Sequence, residues 1–189
     1  MAHARVRSFL AIELSEAIKS EASLFVQTLQ GKCQGFRFLD SKSWHLTLHF
    51  FGQVELEKIE KLGVCLQNAL SDNKPFSISL EGFGAFPDGG NPRVLWMGVG
   101  GDLKKLSELK SRVDHILQKM HFPIETRSFN PHITIARSKG DVFLSFSKSE
   151  QTFKGHTVDQ VRFLTLFKSD LLPQGAQHTA LRTVSLADS

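Results

Sequence analysis

Two stretches of this chain, 44–50 (WHLTLHF) and 131–137 (PHITIAR), alternate aliphatic and polar residues with a period of two. That period fits a β-strand with one face against a core, and it does not fit a helix. His45 and Thr47 therefore share one face of their strand, with Leu46, Leu48 and Phe50 on the other. His132 and Thr134 stand against Ile133 and Ile135 in the same way. Each strand anchors itself by its aliphatic side and offers an imidazole beside a hydroxyl on the opposite side.

Around these two stretches, strand-like and helix-like segments interleave. Arg5–Leu14 alternates as a strand; Ser15 then caps a helix over 16–30, whose apolar face is Ile18, Ala22, Phe25, Val26 and Leu29, and Gly31 ends it. Strands follow at Phe36–Leu39 and Trp44–Phe51, the second stopped by Gly52. A helix over 55–70 carries Leu56, Ile59, Leu62, Val64, Leu66 and Leu70. Phe76–Phe86 and Arg93–Val99 read as strands joined by a PDGGNP turn, and Asp102 as the N-cap of a helix to Met120. Strands at His132–Arg137, Val158–Lys168 and Gln177–Val184 complete the chain, and the stretch between the first two of these offers no clear element. Many strands with three interspersed helices predict an α+β fold. The 189 residues, undivided by any linker or low-complexity tract, predict one unit over 1–189.

Composition narrows the chemistry. The chain has no tyrosine, which removes a phenol mechanism, and eight histidines, which enlarge the pool of acids and bases near neutral pH. Cys33 and Cys65 lie far apart without a CxxC pairing, so neither a redox dithiol nor a Cys-ligated zinc site is expected, and a reducing compartment is. No stretch approaches the ~18 apolar residues of a membrane span, and the first fourteen residues carry no signal-type apolar run. A cytoplasmic protein is expected, with no membrane and no obligatory protein partner. The net charge of +4 fits an anionic ligand without announcing one.

Two His-x-Thr faces meeting across a groove would place two imidazoles and two hydroxyls round one space. That set suits phosphoryl chemistry by general acid–base catalysis: one imidazole takes a proton from water while the other protonates the departing oxygen. Thr47, Thr134 and a nearby arginine such as Arg137 would hold the non-bridging phosphate oxygens. No metal and no other cofactor is called for.

The paired HxT motifs, 87 positions apart, resemble those of the 2H phosphoesterase superfamily. RSFLAIEL (Arg7–Leu14), HLTLHFFG (His45–Gly52), FGAFPDGGNPRVLWMGV (Phe83–Val99), FNPHITIAR (Phe129–Arg137) and KSDLLPQGAQHTAL (Lys168–Leu181) are similar to its RNA 2′,3′-cyclic phosphodiesterase branch, historically bacterial 2′-5′ RNA ligase. The resemblance touches nearly the whole chain in order. It implies two pseudo-symmetric lobes with antiparallel sheets and outer helices, one HxT each, with the active-site groove between them. It implies hydrolysis of an RNA-terminal 2′,3′-cyclic phosphate to a 2′-phosphate, with His45 as acid toward the 3′ oxygen and His132 as base on water. RNA ends or small cyclic nucleotides are the implied partners, and reversible 2′-5′ ligation a side activity. Other members act on 2′-5′ linkages or ADP-ribose 1″,2″-cyclic phosphate. A non-catalytic RNA-end binding module is a third alternative, though it would not need two imidazoles. The chain departs from the family's habit at His49, where lysine is common, and at His178, where tyrosine is.

The remaining candidates weigh less. His49 shares the face of His45 but lies four strand residues, ~13 Å, away, too far for one phosphate or one zinc ion. Gly98–Gly101 resembles a dinucleotide loop, but Leu103 occupies the sixth position of GxGxxG. Phe9, Phe51 and Phe129 are expected to line the groove as base-stacking rings, with Arg93 and His178 as further rim residues. His3, His115, His121 and His156 read as surface.

Overall fold

The computed structural model describes residues 4–88, 90–138, 140, 142, 152–173 and 175–187. His3 and most of the unassigned stretch before Val158 lie outside them. Among the described residues, nine strands and three α-helices run β1 (Arg5–Glu13), α1 (Glu16–Gln30), β2 (Phe36–Phe38), β3 (His45–Glu55), α2 (Leu56–Leu70), β4 (Phe76–Phe86), β5 (Val94–Gly101), α3 (Leu103–Lys119), β6 (His132–Ser138), β7 (Asp159–Val161), β8 (Phe163–Leu172) and β9 (Gly175–Ser185). The α+β class expected from the sequence is the one observed.

All strand pairs are antiparallel, in the order β7-β4-β5-β6-β3-β1-β8-β9, with β2 on β6. The two strands that carry His-x-Thr are thus the central neighbours. Their ladder has a single residue pair, Leu46 with Ile133. Both side chains are fully buried, each contributing ~1.5–3 kcal/mol by burial. Four strands, β3 included, lie on one side of this narrow seam, and five, counting β6 and β2, on the other. The helices cover the aliphatic face: α2 packs on β1, β3 and β9, α1 and α3 on β4, and α2 on α3.

Local chemistry explains most boundaries. The Ser15 side chain accepts from the Ile18 amide at 3.4 Å and starts α1 as expected. Asp102 occupies the N-cap position of α3, but its carboxylate does not cap that helix. It accepts from the Ser77 amide at 3.2 Å and pairs with Lys105 at 3.6 Å instead. Gly52 does not stop β3. It takes the left-handed conformation, φ +65°, beside a bulge that leaves Phe51 unpaired between Phe50 and Gly52. Val64, read as a helix-face residue, is about half exposed. Val158 lies outside any strand and is exposed, and the expected strand 158–168 is two, β7 and β8, interrupted at Arg162. No helix among the described residues is long and apolar enough to cross a membrane.

Candidate active site

Running the antiparallel register one residue to either side of the Leu46–Ile133 pair sets His45 opposite Thr134, and Thr47 opposite His132. Directly opposed residues of an antiparallel pair share a face. The sequence repeat therefore becomes a local two-fold arrangement, with all four polar side chains on the face away from the helices. They line one cavity of about 570 Å³.

The two imidazoles are held alike. His45 Nδ1 donates to the Ser43 carbonyl at 2.7 Å, and His132 Nδ1 to the Asn130 carbonyl at 2.7 Å. A carbonyl oxygen only accepts, so each neutral ring carries its proton on Nδ1 and keeps the Nε2 lone pair. Aromatic rings back both. Phe9 stacks on His45 (4.7 Å, 24°) and on Phe167 (5.1 Å, 18°), while Phe86 meets His132 edge-on at 5.1 Å and stacks on Trp96 at 5.1 Å. Each histidine is thus fixed by one hydrogen bond and one aromatic wall.

Burial pushes the His45 imidazole down to about 4. The Ser43 carbonyl opposes the shift, and the charges of His178, Arg137 and Lys19 add to it. The unfolded chain then binds a proton at this site before the folded one does. Folding stability from His45 is complete above the unfolded value of ~6.5 and is lost as pH falls toward 4, by on the order of 2 kcal/mol. Urea unfolding at pH 7 and pH 4.5 checks this: a His45→Gln variant should gain on the wild type by that amount at the lower pH. Burial also lowers His49 and His178.

Three arginines surround the histidines: Arg7 on β1, Arg37 on β2 and Arg137 on β6. Arg37 and Arg137 are direct partners in the β2–β6 ladder. Burial, and then the charge of Arg7, lower the Arg137 guanidinium below its ordinary value. Like charges opposed on neighbouring strands are destabilising, and no aspartate or glutamate lines the cavity among the described residues. Among the described residues, the lining of this cavity thus gives the arginines no carboxylate partner. Arg7 and Arg37 are not among the sequence-derived site residues, although Arg7 lies two positions before Phe9 and so on its face.

Of the other candidates, Phe9 and His178 line the cavity, but Phe51, Arg93 and Phe129 do not. A second bulge in β3 explains Phe51. Leu10 pairs with His49 and Ala11 with Thr47, leaving Leu48 unpaired. The alternation therefore flips after Leu48. His49 turns inward, 7 % exposed, and meets Phe51 at 4.8 Å, while Phe50 turns out into the cavity. His49 thus leaves the face of His45; it stands near Lys110, Asp114 and Glu125 instead. Phe51 packs on Phe122 at 5.1 Å. Phe129 packs against the core with Lys110 Nζ 5.5 Å from its ring, and Arg93 Nη1 donates to the Gly140 carbonyl at 3.0 Å. His115, His121 and His156 are exposed, as expected. Among the described residues, no three His, Cys, Asp or Glu side chains cluster so as to hold a metal ion.

Residues 18–165 match the model of the 2′-5′ RNA ligase superfamily. The chain belongs to that superfamily. A superfamily relative from Methanothermobacter thermautotrophicus, an RNA 2′,3′-cyclic phosphodiesterase, is 31 % identical over 186 residues, covering 96 % of this chain and 100 % of its own. Among solved structures, TT0787 of Thermus thermophilus superposes with a TM-score of 0.82 at 26 % identity, over 95 % of this chain and 97 % of that one. E. coli LigT, complexed with 3′-AMP, shares the fold with a TM-score of 0.78 at 22 % identity, over 98 % and 100 % of the two chains. These superfamily structures agree with an α+β fold built on a curled antiparallel sheet.

Proposed function

We propose that this chain hydrolyses the 2′,3′-cyclic phosphate at an RNA end to a 2′-phosphate. The observation that carries the reading is the symmetric pair of histidines, each with Nδ1 spent on a carbonyl and Nε2 left for the cavity. In the register that the Leu46–Ile133 pair starts, they are diagonal neighbours, roughly 7–8 Å apart in a regular ladder. That span suits one phosphorus atom with an attacking oxygen on one side and a departing oxygen on the other.

In the proposed step, His132 Nε2 takes a proton from water as the water oxygen bonds to phosphorus. The bond from phosphorus to the ribose 3′ oxygen breaks, its electron pair stays on that oxygen, and protonated His45 supplies the proton. Thr47 and Thr134 hydroxyls and Arg137 hold the non-bridging oxygens as a second negative charge builds there. The opposed arginines support an anionic substrate, because only an anion relieves their repulsion. They also provide sites for backbone phosphates next to the terminal one.

An acid at His45 requires a proton that burial disfavours. A bound anion restores it by attraction, so anion binding takes up a proton. Sulfate keeps a constant charge from pH 8 to 5 and is the suitable probe. Its affinity should rise as pH falls over that range in the wild type, and a His45→Gln variant should lose that slope. A flat wild-type profile by calorimetry would contradict the coupling. The mechanism uses no metal, so turnover should be unchanged by EDTA.

Reversible 2′-5′ ligation follows when a 5′-hydroxyl takes the place of water. Its oxygen bonds to phosphorus and gives its proton to His132 as the bond to the 3′ oxygen breaks and His45 protonates that oxygen. The same step run backwards cleaves the linkage. A specific observation favours it: a second cavity of about 470 Å³ shares Phe9, Ser43, His45, Ala176 and His178 with the first. It offers room for a second strand end beside His45. A panel of cyclic-phosphate RNA, 2′-5′ oligonucleotide and ADP-ribose 1″,2″-cyclic phosphate separates the substrates. Residues 1–189 form one unit of two lobes in this reading, each lobe giving one HxT. Two free cysteines, Cys33 and Cys65, fit a cytoplasmic setting.

A further inference from the structure

His178 stands where the two cavities meet and lines both. Its ring lies edge-on to His45 at 5.3 Å and 89°, and edge-on to Phe9 at 4.9 Å. It faces Ser169 across the β8–β9 ladder. Its Nδ1 is buried and has no hydrogen-bond partner among the described residues. This reverses the arrangement at His45 and His132, where Nδ1 is the bonded nitrogen.

The consequence concerns the proton. A buried N–H without an acceptor forfeits its hydration with no return, so the neutral ring is better with its proton on Nε2. The charged ring would carry both that orphan N–H and a cation beside His45. The side of the ring away from Nδ1 is the side left to the cavities.

We infer that His178 is a substrate-binding residue in the opposite tautomer from its neighbours, a neutral ring whose Nε2–H donates to an oxygen of the phosphate group held at His45. The inference deepens the proposed hydrolysis and rests on it. The cavity then holds two rings that exchange protons through Nε2 and one that only donates a hydrogen bond. His178 stays out of the proton transfer itself. A hydroxyl or a carboxamide N–H at this position would do the same work.

Nitrogen-15 NMR of the histidine rings at pH 7 tests the tautomer without reference to activity. His45 and His132 should show the proton on Nδ1 and His178 on Nε2, and the His178 Nε2–H signal should shift on sulfate addition. A proton on His178 Nδ1, a charged His178, or no response to sulfate would overturn the inference. His178→Phe should lower kcat/KM on a cyclic-phosphate oligonucleotide and weaken sulfate binding, each about 10–100-fold, the range of one hydrogen bond to a charged group. His178→Tyr and His178→Gln, which restore a donor, should stay within about threefold of the wild type. If His178→Phe does not fold, these two variants and the NMR decide alone: loss of sulfate affinity in both would count against the donor. Wild-type protein that turns over the oligonucleotide while His178→Phe matches it in both assays would overturn the donor only. Wild-type protein that fails to turn it over would overturn the proposed hydrolysis, and the sulfate response would still decide the donor.

Discussion

His45→Ala and His132→Ala should each lower turnover of a 2′,3′-cyclic-phosphate oligonucleotide by roughly 10²–10⁴-fold, the usual share of a positioned general acid or base. The double variant should fall little below the worse single one, because two groups that act in one step do not contribute additively. The pH profile carries more information than the size of the loss. With His45 as acid and His132 as base, the single variants should each lose a different limb of the bell-shaped rate profile. Melting curves of His132→Ala at pH 7 should change little, since that ring lines the cavity and does not belong to the buried core. Two variants as active as the wild type would contradict the assignment.

Arg137→Ala should cost about 10²–10³-fold in kcat, the loss seen when one preorganised group facing developing charge is removed. Arg137→Lys should recover only part of it, since an ammonium lacks the planar fork that grips two phosphate oxygens. Arg37→Ala and Arg7→Ala should act differently. Each removes a like-charged neighbour of Arg137, so stability should hold or rise slightly while KM for an oligonucleotide rises. Those KM effects should shrink at high salt, as expected of contacts to backbone phosphates. Urea unfolding and steady-state kinetics at two ionic strengths separate these outcomes. An Arg137→Ala enzyme with unchanged kcat would contradict its place at the reacting phosphate.

The part of the site legible in the sequence is the part written as regular alternation. His45, Thr47, His132 and Thr134 stand on one face because Leu46 and Ile133 must be buried between them, and a period of two says so before any strand order is known. Alternation fails where the chain breaks it. Nothing in HLTLHFFG announces that Leu48 and Phe51 stand unpaired, yet the bulge at Leu48 sends His49 and Phe51 to the helix side and Phe50 into the cavity. Long-range neighbours are equally hidden. Arg37 reaches the site through a three-residue strand paired with β6, and Phe86 through the end of β4. The helices are legible down to the Ser15 cap, because capping and apolar stripes are local. Asp102 marks the right position for a helix start, but a distant amide on Ser77 takes its carboxylate.

The most direct test is to give the purified protein an oligonucleotide ending in a 2′,3′-cyclic phosphate, in the presence of EDTA, and to identify the phosphate position in the product. The two-histidine mechanism, with the 3′ oxygen leaving, gives multiple turnovers and a 2′-phosphate end. Binding without turnover, or a 3′-phosphate product, would contradict it.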